Sequence, residues 1–126
     1  MFDIQGTTIY LTRGDKAIIG LTLKDYMFKV GDIIDFKVYN ANELNKAPVL
    51  SQQVKVQEES EKVNIELSSE KTTIGEILNE QKEYWYEIKL NGEQTPFGYD
   101  KKGPKILILY PEGADADVTS NELSIG

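Results

Sequence analysis

Tyr84-Trp85-Tyr86-Glu87-Ile88-Lys89-Leu90 runs directly into Asn91-Gly92. Tyr84, Tyr86, Ile88 and Leu90 alternate with Trp85, Glu87 and Lys89. A period of two is that of a strand with one buried face. Asn and Gly both tolerate positive φ, so the pair closing the run is a hairpin turn. A chain that places its only tryptophan and two of its seven tyrosines in one such strand points to an aromatic-rich sheet.

Working outward, the same alternation recurs. Ala17, Ile19, Leu21 and Leu23 alternate with Ile18, Gly20 and Thr22; Ile34, Phe36 and Val38 with Asp35 and Lys37; Val63, Ile65 and Leu67 with Asn64 and Glu66. Val54 and Val56 flank Lys55, and Thr8–Thr12 reads as a further strand. Ile106-Leu107-Ile108-Leu109-Tyr110 is apolar on both faces, the mark of a well-covered strand or a subunit contact. Turns separate these runs at Arg13-Gly14-Asp15, Val30-Gly31-Asp32, Asn40-Ala41-Asn42, Lys102-Gly103-Pro104 and Pro111-Glu112-Gly113. Ile, Val and Thr total 28 residues against five Ala, which favours strands over helices. The reading is an all-β sandwich of about seven antiparallel strands. Ser68–Gly75 interrupts it as a capped helical turn in a crossover, with Glu76–Asn79 as its continuation. Tyr84 or Tyr86 is then either a corner tyrosine or one of an aromatic pair in a core strand.

With 126 residues, the chain is one domain by length. The β-sandwich is expected over residues 1–110. Residues 111–126, with four acids and no base, are expected to be a mobile acidic tail, although Leu123 and Ile125 could add a short strand to an edge. Fourteen basic and 21 acidic residues give a net charge of −7, which disfavours a nucleic-acid backbone as partner. A single arginine, Arg13, stands beside 13 lysines, a poor stock for a bidentate anion clamp. The N-terminus has no basic-then-apolar signal pattern, and no apolar run is long enough to span a bilayer.

The chain contains no His and no Cys. That removes thiol nucleophiles, disulfides, the Ser-His-Asp triad and most zinc sites. The acid groups Asp32/Asp35 and Glu58/Glu59/Glu61 sit in turns and on outward positions, which suits solvated charge rather than a facing catalytic pair. No phosphate-binding glycine loop is present. Asp115-Ala116-Asp117 has a calcium-like spacing without the rest of an EF-hand loop. Arg13-Gly14-Asp15 matches an adhesion tripeptide but is ordinary turn chemistry. The expectation is therefore a non-enzyme without metal or cofactor. If Tyr84, Tyr86 and Ile88 face the core, Trp85 faces outward. Tyr26, Phe28, Phe97 and Tyr99 lie in or near loops. Trp85, Phe97, Tyr99, Leu107 and Leu109 are the candidate interface residues. A carbohydrate- or ligand-binding module using Trp85 is the alternative.

The order of features carries a resemblance. Thr8-Ile9-Tyr10-Leu11-Thr12 leads into Arg13-Gly14-Asp15 and Ile18–Leu23. Gly31-Asp32 and Phe36-Lys37-Val38-Tyr39 follow, and later Tyr84-Trp85-Tyr86-Glu87-Ile88 and Asn91-Gly92. This resembles the N-terminal immunoglobulin-like β-sandwich of phage baseplate upper proteins and related tail-fibre attachment domains of Gram-positive phages and prophages. The resemblance covers about Phe2–Tyr110. It implies an immunoglobulin-like fold and a structural role in a virion assembled in the bacterial cytoplasm. The partners it implies are further copies of the chain, other phage structural proteins, or both, with no nucleic acid and no membrane. That family continues into a long C-terminal region, whereas this sequence ends after the acidic stretch.

Overall fold

The structure is a computed structural model and describes residues 1–76, 79–113 and 120–124. Its strands are β1 (Phe2–Gln5), β2 (Thr8–Thr12), β3 (Ala17–Thr22), β4 (Ile33–Asn40), β5 (Leu50–Lys55), β6 (Lys62–Leu67), β7 (Lys82–Leu90), β8 (Gln94–Phe97), β9 (Lys105–Tyr110) and β10 (Ser120–Ser124). Among the described residues one helical turn, α1 (Ser69–Thr72), lies between β6 and β7. The larger sheet runs β1-β2-β9-β7-β4-β5, with β8 paired to β7, and the smaller runs β10-β3-β6. The β3·β6 pair in one sheet and β4·β7·β9 in the other reproduce the B·E and C·F·G pairings of an immunoglobulin-like sandwich.

The alternation read from the sequence builds the core. Ile19 and Leu21 of β3, Phe36 and Val38 of β4, Ile65 and Leu67 of β6, and Tyr84, Tyr86 and Ile88 of β7 are all buried in one cluster. Phe36 and Tyr86 meet with ring centroids 5.7 Å apart, a packing geometry aromatic pairs favour. Asn91 and Gly92 both take positive φ, +54° and +66°, so the hairpin between β7 and β8 forms as its residues require. α1 starts with the Ser68 hydroxyl accepting from the Lys71 N–H at 3.2 Å, an N-cap that satisfies one of the turn's free donors. It stops at Thr72. Gly75 has a φ of +69° and neither Glu76 nor Asn79 is helical, so α1 does not run on into Glu76; residues 77 and 78 of the expected continuation lie outside the described residues.

Three expectations are corrected. Among the described residues the strands number ten rather than about seven; β1, β8 and β10 are too short or too polar to alternate visibly. The sheets are mixed rather than antiparallel, because β2 runs parallel to β9 and β10 parallel to β3. Alternation reports which face is buried and not strand direction. The stretch 111–126 is not wholly a tail: Ser120–Ser124 pair with Ile18–Thr22, and Leu123 is fully buried. Its acids hid one aliphatic anchor. Asp115, Asp117 and Ile125 lie outside the described residues. Of the two readings of Tyr84 and Tyr86, the aromatic pair in a core strand holds, and neither makes the corner hydrogen bond. The Tyr86 hydroxyl donates to the Thr7 carbonyl in the β1–β2 turn. The Tyr84 hydroxyl is buried beside Gly75 with no hydrogen-bond partner among the described residues.

Candidate functional site

β7 buries Tyr84, Tyr86, Ile88 and Leu90, so Glu83, Trp85, Glu87 and Lys89 take the outer face of the larger sheet. On one side β9 places Ile106 opposite Trp85 and Ile108 opposite Glu83. Beyond β9, Tyr10 of β2 stands opposite Ile108. Tyr10 packs on Tyr110 with ring centroids 6.4 Å apart. On the other side Tyr39 of β4 stands opposite Trp85. The result is a band of Tyr10, Tyr110, Ile108, Ile106 and Trp85, all partly exposed.

Tyr99 completes it from the β8–β9 loop, 62% exposed, its ring 5.7 Å from Trp85 and tilted by 55°. The loop is held in place by Lys105, whose Nζ donates to the Gly98 carbonyl at 3.0 Å and to Asp100 Oδ2 at 2.8 Å. That hydrogen bond, with one from the Lys102 N–H, keeps the Asp100 carboxyl below the usual carboxylate range. The indole N–H of Trp85 donates to Glu83 Oε2 at 3.0 Å. Tyr39 donates to Glu87 Oε1 at 2.8 Å. Burial, with that neighbouring carboxylate, pushes the Tyr39 hydroxyl up to about 12. Towards β5 the face becomes charged, with Lys37 opposite Glu87 and Asp35 opposite Lys89. An apolar, aromatic centre bounded by a polar rim is the anatomy of a protein interface.

Of the five candidate interface residues, Trp85 and Tyr99 come together on this face. Leu107, Leu109 and Phe97 do not: all three belong to the buried core. Leu107 stands opposite Tyr84 and Leu109 opposite Lys82, on the side of β7 that faces inward. Ile106 and Ile108 hold the outer positions. A strand apolar on both faces carries no parity signal, so this inversion was not decidable from β9 alone. Tyr10, Tyr110, Ile106 and Ile108 were missed. Tyr10 had a signal, since it alternates with the core residues Ile9 and Leu11.

Other polar groups singled out in the sequence serve the fold. The Arg13 guanidinium is buried and donates to the carbonyls of Ile74 (3.0 Å) and Gly75 (3.1 Å) and to Glu112. It fastens the crossover to the end of β9, so Arg13-Gly14-Asp15 does not present an adhesion loop. Asp32 accepts from the Tyr26 hydroxyl (2.6 Å), the Lys29 N–H (2.9 Å) and Asn91 Nδ2 (3.1 Å). Those hydrogen bonds hold its carboxyl below the usual range. Among the described residues no three acids cluster with metal-binding geometry, and no helix is long and apolar enough to cross a membrane. Comparison with protein-family models, curated protein sequences and solved structures finds no match for this chain.

Proposed function

We propose that this protein is a structural module that assembles into a larger particle through protein–protein contacts on the outer face of its larger sheet. The observation that carries the reading is the band of Tyr10, Tyr110, Ile106, Ile108, Trp85 and Tyr99, on a sheet whose opposite face already forms the core. Tyr and Trp concentrate at the energetic centres of interfaces, and β-sheet proteins rarely leave such a strip without a partner. The order of sequence features supports a finer assignment, to a tail or baseplate component of a phage or prophage, a virion protein assembled in the bacterial cytoplasm. Its partners are further copies of the chain, other structural proteins of the particle, or both. The role is structural rather than catalytic, with no metal or cofactor and no nucleic-acid or membrane partner.

The alternative, a carbohydrate-binding module built on Trp85, has less in its favour. The indole N–H is already taken by Glu83, and the neighbouring Tyr99 ring is tilted rather than coplanar. The test is solution mass by light scattering across a concentration series. At concentrations well below the millimolar range, the wild-type chain is expected to associate and Ile108→Lys to remain monomeric. A substitution at this partly exposed position is expected to change stability by no more than about 0.5 kcal/mol. A wild-type chain that is monomeric at every concentration, and whose Trp85 emission is quenched by sugars, overturns the reading in favour of the alternative.

A further inference from the structure

β3 pairs with β6 along one edge. Its other edge would present a row of bare N–H and C=O groups. β10 fills that edge as a parallel strand, from Ser120 opposite Ile18 to Ser124 opposite Thr22. No hairpin makes this pairing local. The chain reaches β10 from β9, which belongs to the opposite sheet.

Three consecutive side chains hold β10 in place. Leu123 is fully buried in the core. Asn121 Nδ2 donates to Asp3 Oδ1 of β1 at 3.3 Å. Glu122 meets Lys62 Nζ of β6 at 2.7 Å, reaching over the middle strand to do so. Gly20 permits that crossing: a Cβ there would lie 3.1 Å from Lys62 Cε and 3.5 Å from Glu122 Cγ. The edge of β3 thus reads a short extended peptide. Its backbone pairs along the ladder, an acidic residue meets Lys62, and the next residue is aliphatic and enters the core. This is strand addition with one pocket and one charge for specificity.

None of these contacts depends on which chain supplies the peptide. We propose that the β3 edge is a strand-binding slot, and that two copies of the chain exchange their Ser120–Ser124 strands to form a reciprocal, strand-swapped dimer. The occupant is this chain's own segment because it meets every demand of the slot. The nine residues between β9 and β10, 111–119, span at most about 30 Å, which keeps the strand tethered close to the chain that carries it. A tethered strand faces its own slot at an effective concentration on the order of millimolar. The monomer therefore dominates in dilute solution, and exchange appears where copies are crowded, as they are in a particle. This inference does not rest on the aromatic face, and the test removes that face by using Ile108→Lys throughout.

The chain has no cysteine, so introduced thiols are the only ones. Ile108→Lys chains carrying Thr22→Cys are mixed with Ile108→Lys chains carrying Ser124→Cys at about 1 mM, then oxidised and mapped by mass spectrometry. Position 124 lies beside position 22 only in a filled slot. Links between 22 and 124 are expected to exceed 22–22 and 124–124 links at least tenfold, and adding Leu123→Asp to both chains is expected to abolish the excess. Links formed in the proportions of random collision overturn the proposal. A second measurement needs no thiol. Lys62→Glu and Glu122→Lys chains each face like charges at the slot, but reciprocal exchange between them restores both ion pairs. Their mixture is expected to form heterodimer in excess over the homodimer that either forms alone. A mixture that stays monomeric at the same concentration overturns the proposal.

Discussion

Gly75 and Tyr84 show how single atoms constrain this sandwich. Gly75 sits at φ +69°, and a Cβ there would lie 2.6 Å from the Tyr84 hydroxyl oxygen. Gly75→Ala therefore combines an unfavourable backbone with overpacking and is expected to cost about 2–4 kcal/mol in denaturant unfolding. That hydroxyl has no partner among the described residues, so Tyr84→Phe is expected to leave stability unchanged or raise it. The double variant is expected to recover part of the loss, because the colliding atom is gone; strict additivity in a double-mutant cycle would refute the contact. Asp32 governs the acid limb. Its carboxyl is held below the ordinary value of 3.8 in the folded chain. The stability it contributes is present above the unfolded pKa and disappears as pH falls through the folded one. Unfolding free energy is expected to drop below about pH 4. Asp32→Asn is expected to flatten that drop and to cost about 1–3 kcal/mol at neutral pH. Neither device was legible in the sequence. Gly75 reads as a turn residue and Asp32 as a solvated turn acid, because their partners, Tyr84 and Asn91, are brought to them only by tertiary pairing.

At the scale of elements, β5 shows how a sheet edge can be closed by side chains. The Val56 N–H donates to the Asp32 carbonyl, so with this register Ser51, Gln53 and Lys55 turn their carbonyls away from β4. Each of these carbonyls is capped. Lys71 Nζ donates to Ser51, Gln52 Nε2 to Gln53 and Gln57 Nε2 to Lys55, at 3.0, 3.0 and 3.4 Å. Capped edges resist strand addition. Replacing Lys71, Gln52 and Gln57 together by Ala is expected to change stability by less than about 1 kcal/mol, since Lys71 and Gln57 are exposed and Gln52 is only half-buried. Association through β5 is expected to rise, read as light scattering over time in an Ile108→Lys background. An unchanged association rate would show that the caps do not guard the edge. Strands with one buried face, such as β3, β4, β6 and β7, could be read from alternation because burial imposes it. β9 could be recognised but not oriented, since both its faces are apolar. β10 was legible only as the possibility that Leu123 adds a strand, because one aliphatic residue among polar neighbours sets no period.

For the whole molecule, the sandwich form was legible and the closure of the fold was not. Binary pattern and turn chemistry define half-buried strands wherever they fall in a chain. They do not say that β2 pairs with β9 or β3 with β10, because those pairings join segments from opposite ends of the sequence. The outer aromatic band has the same origin: it is assembled by register across β2, β9 and β7, so no single segment announces it. Those end-to-end pairings also bear on the order of events during synthesis. β2 and β3 emerge from the ribosome early, yet each must wait for a partner, β9 or β10, that is made after the strands between them. Until then β2 has only β1 and β3 only β6 beside it, and a bare strand edge is where nascent chains recruit chaperones or cross-pair. The sandwich is thus committed to finishing its fold only once β10 has left the ribosome.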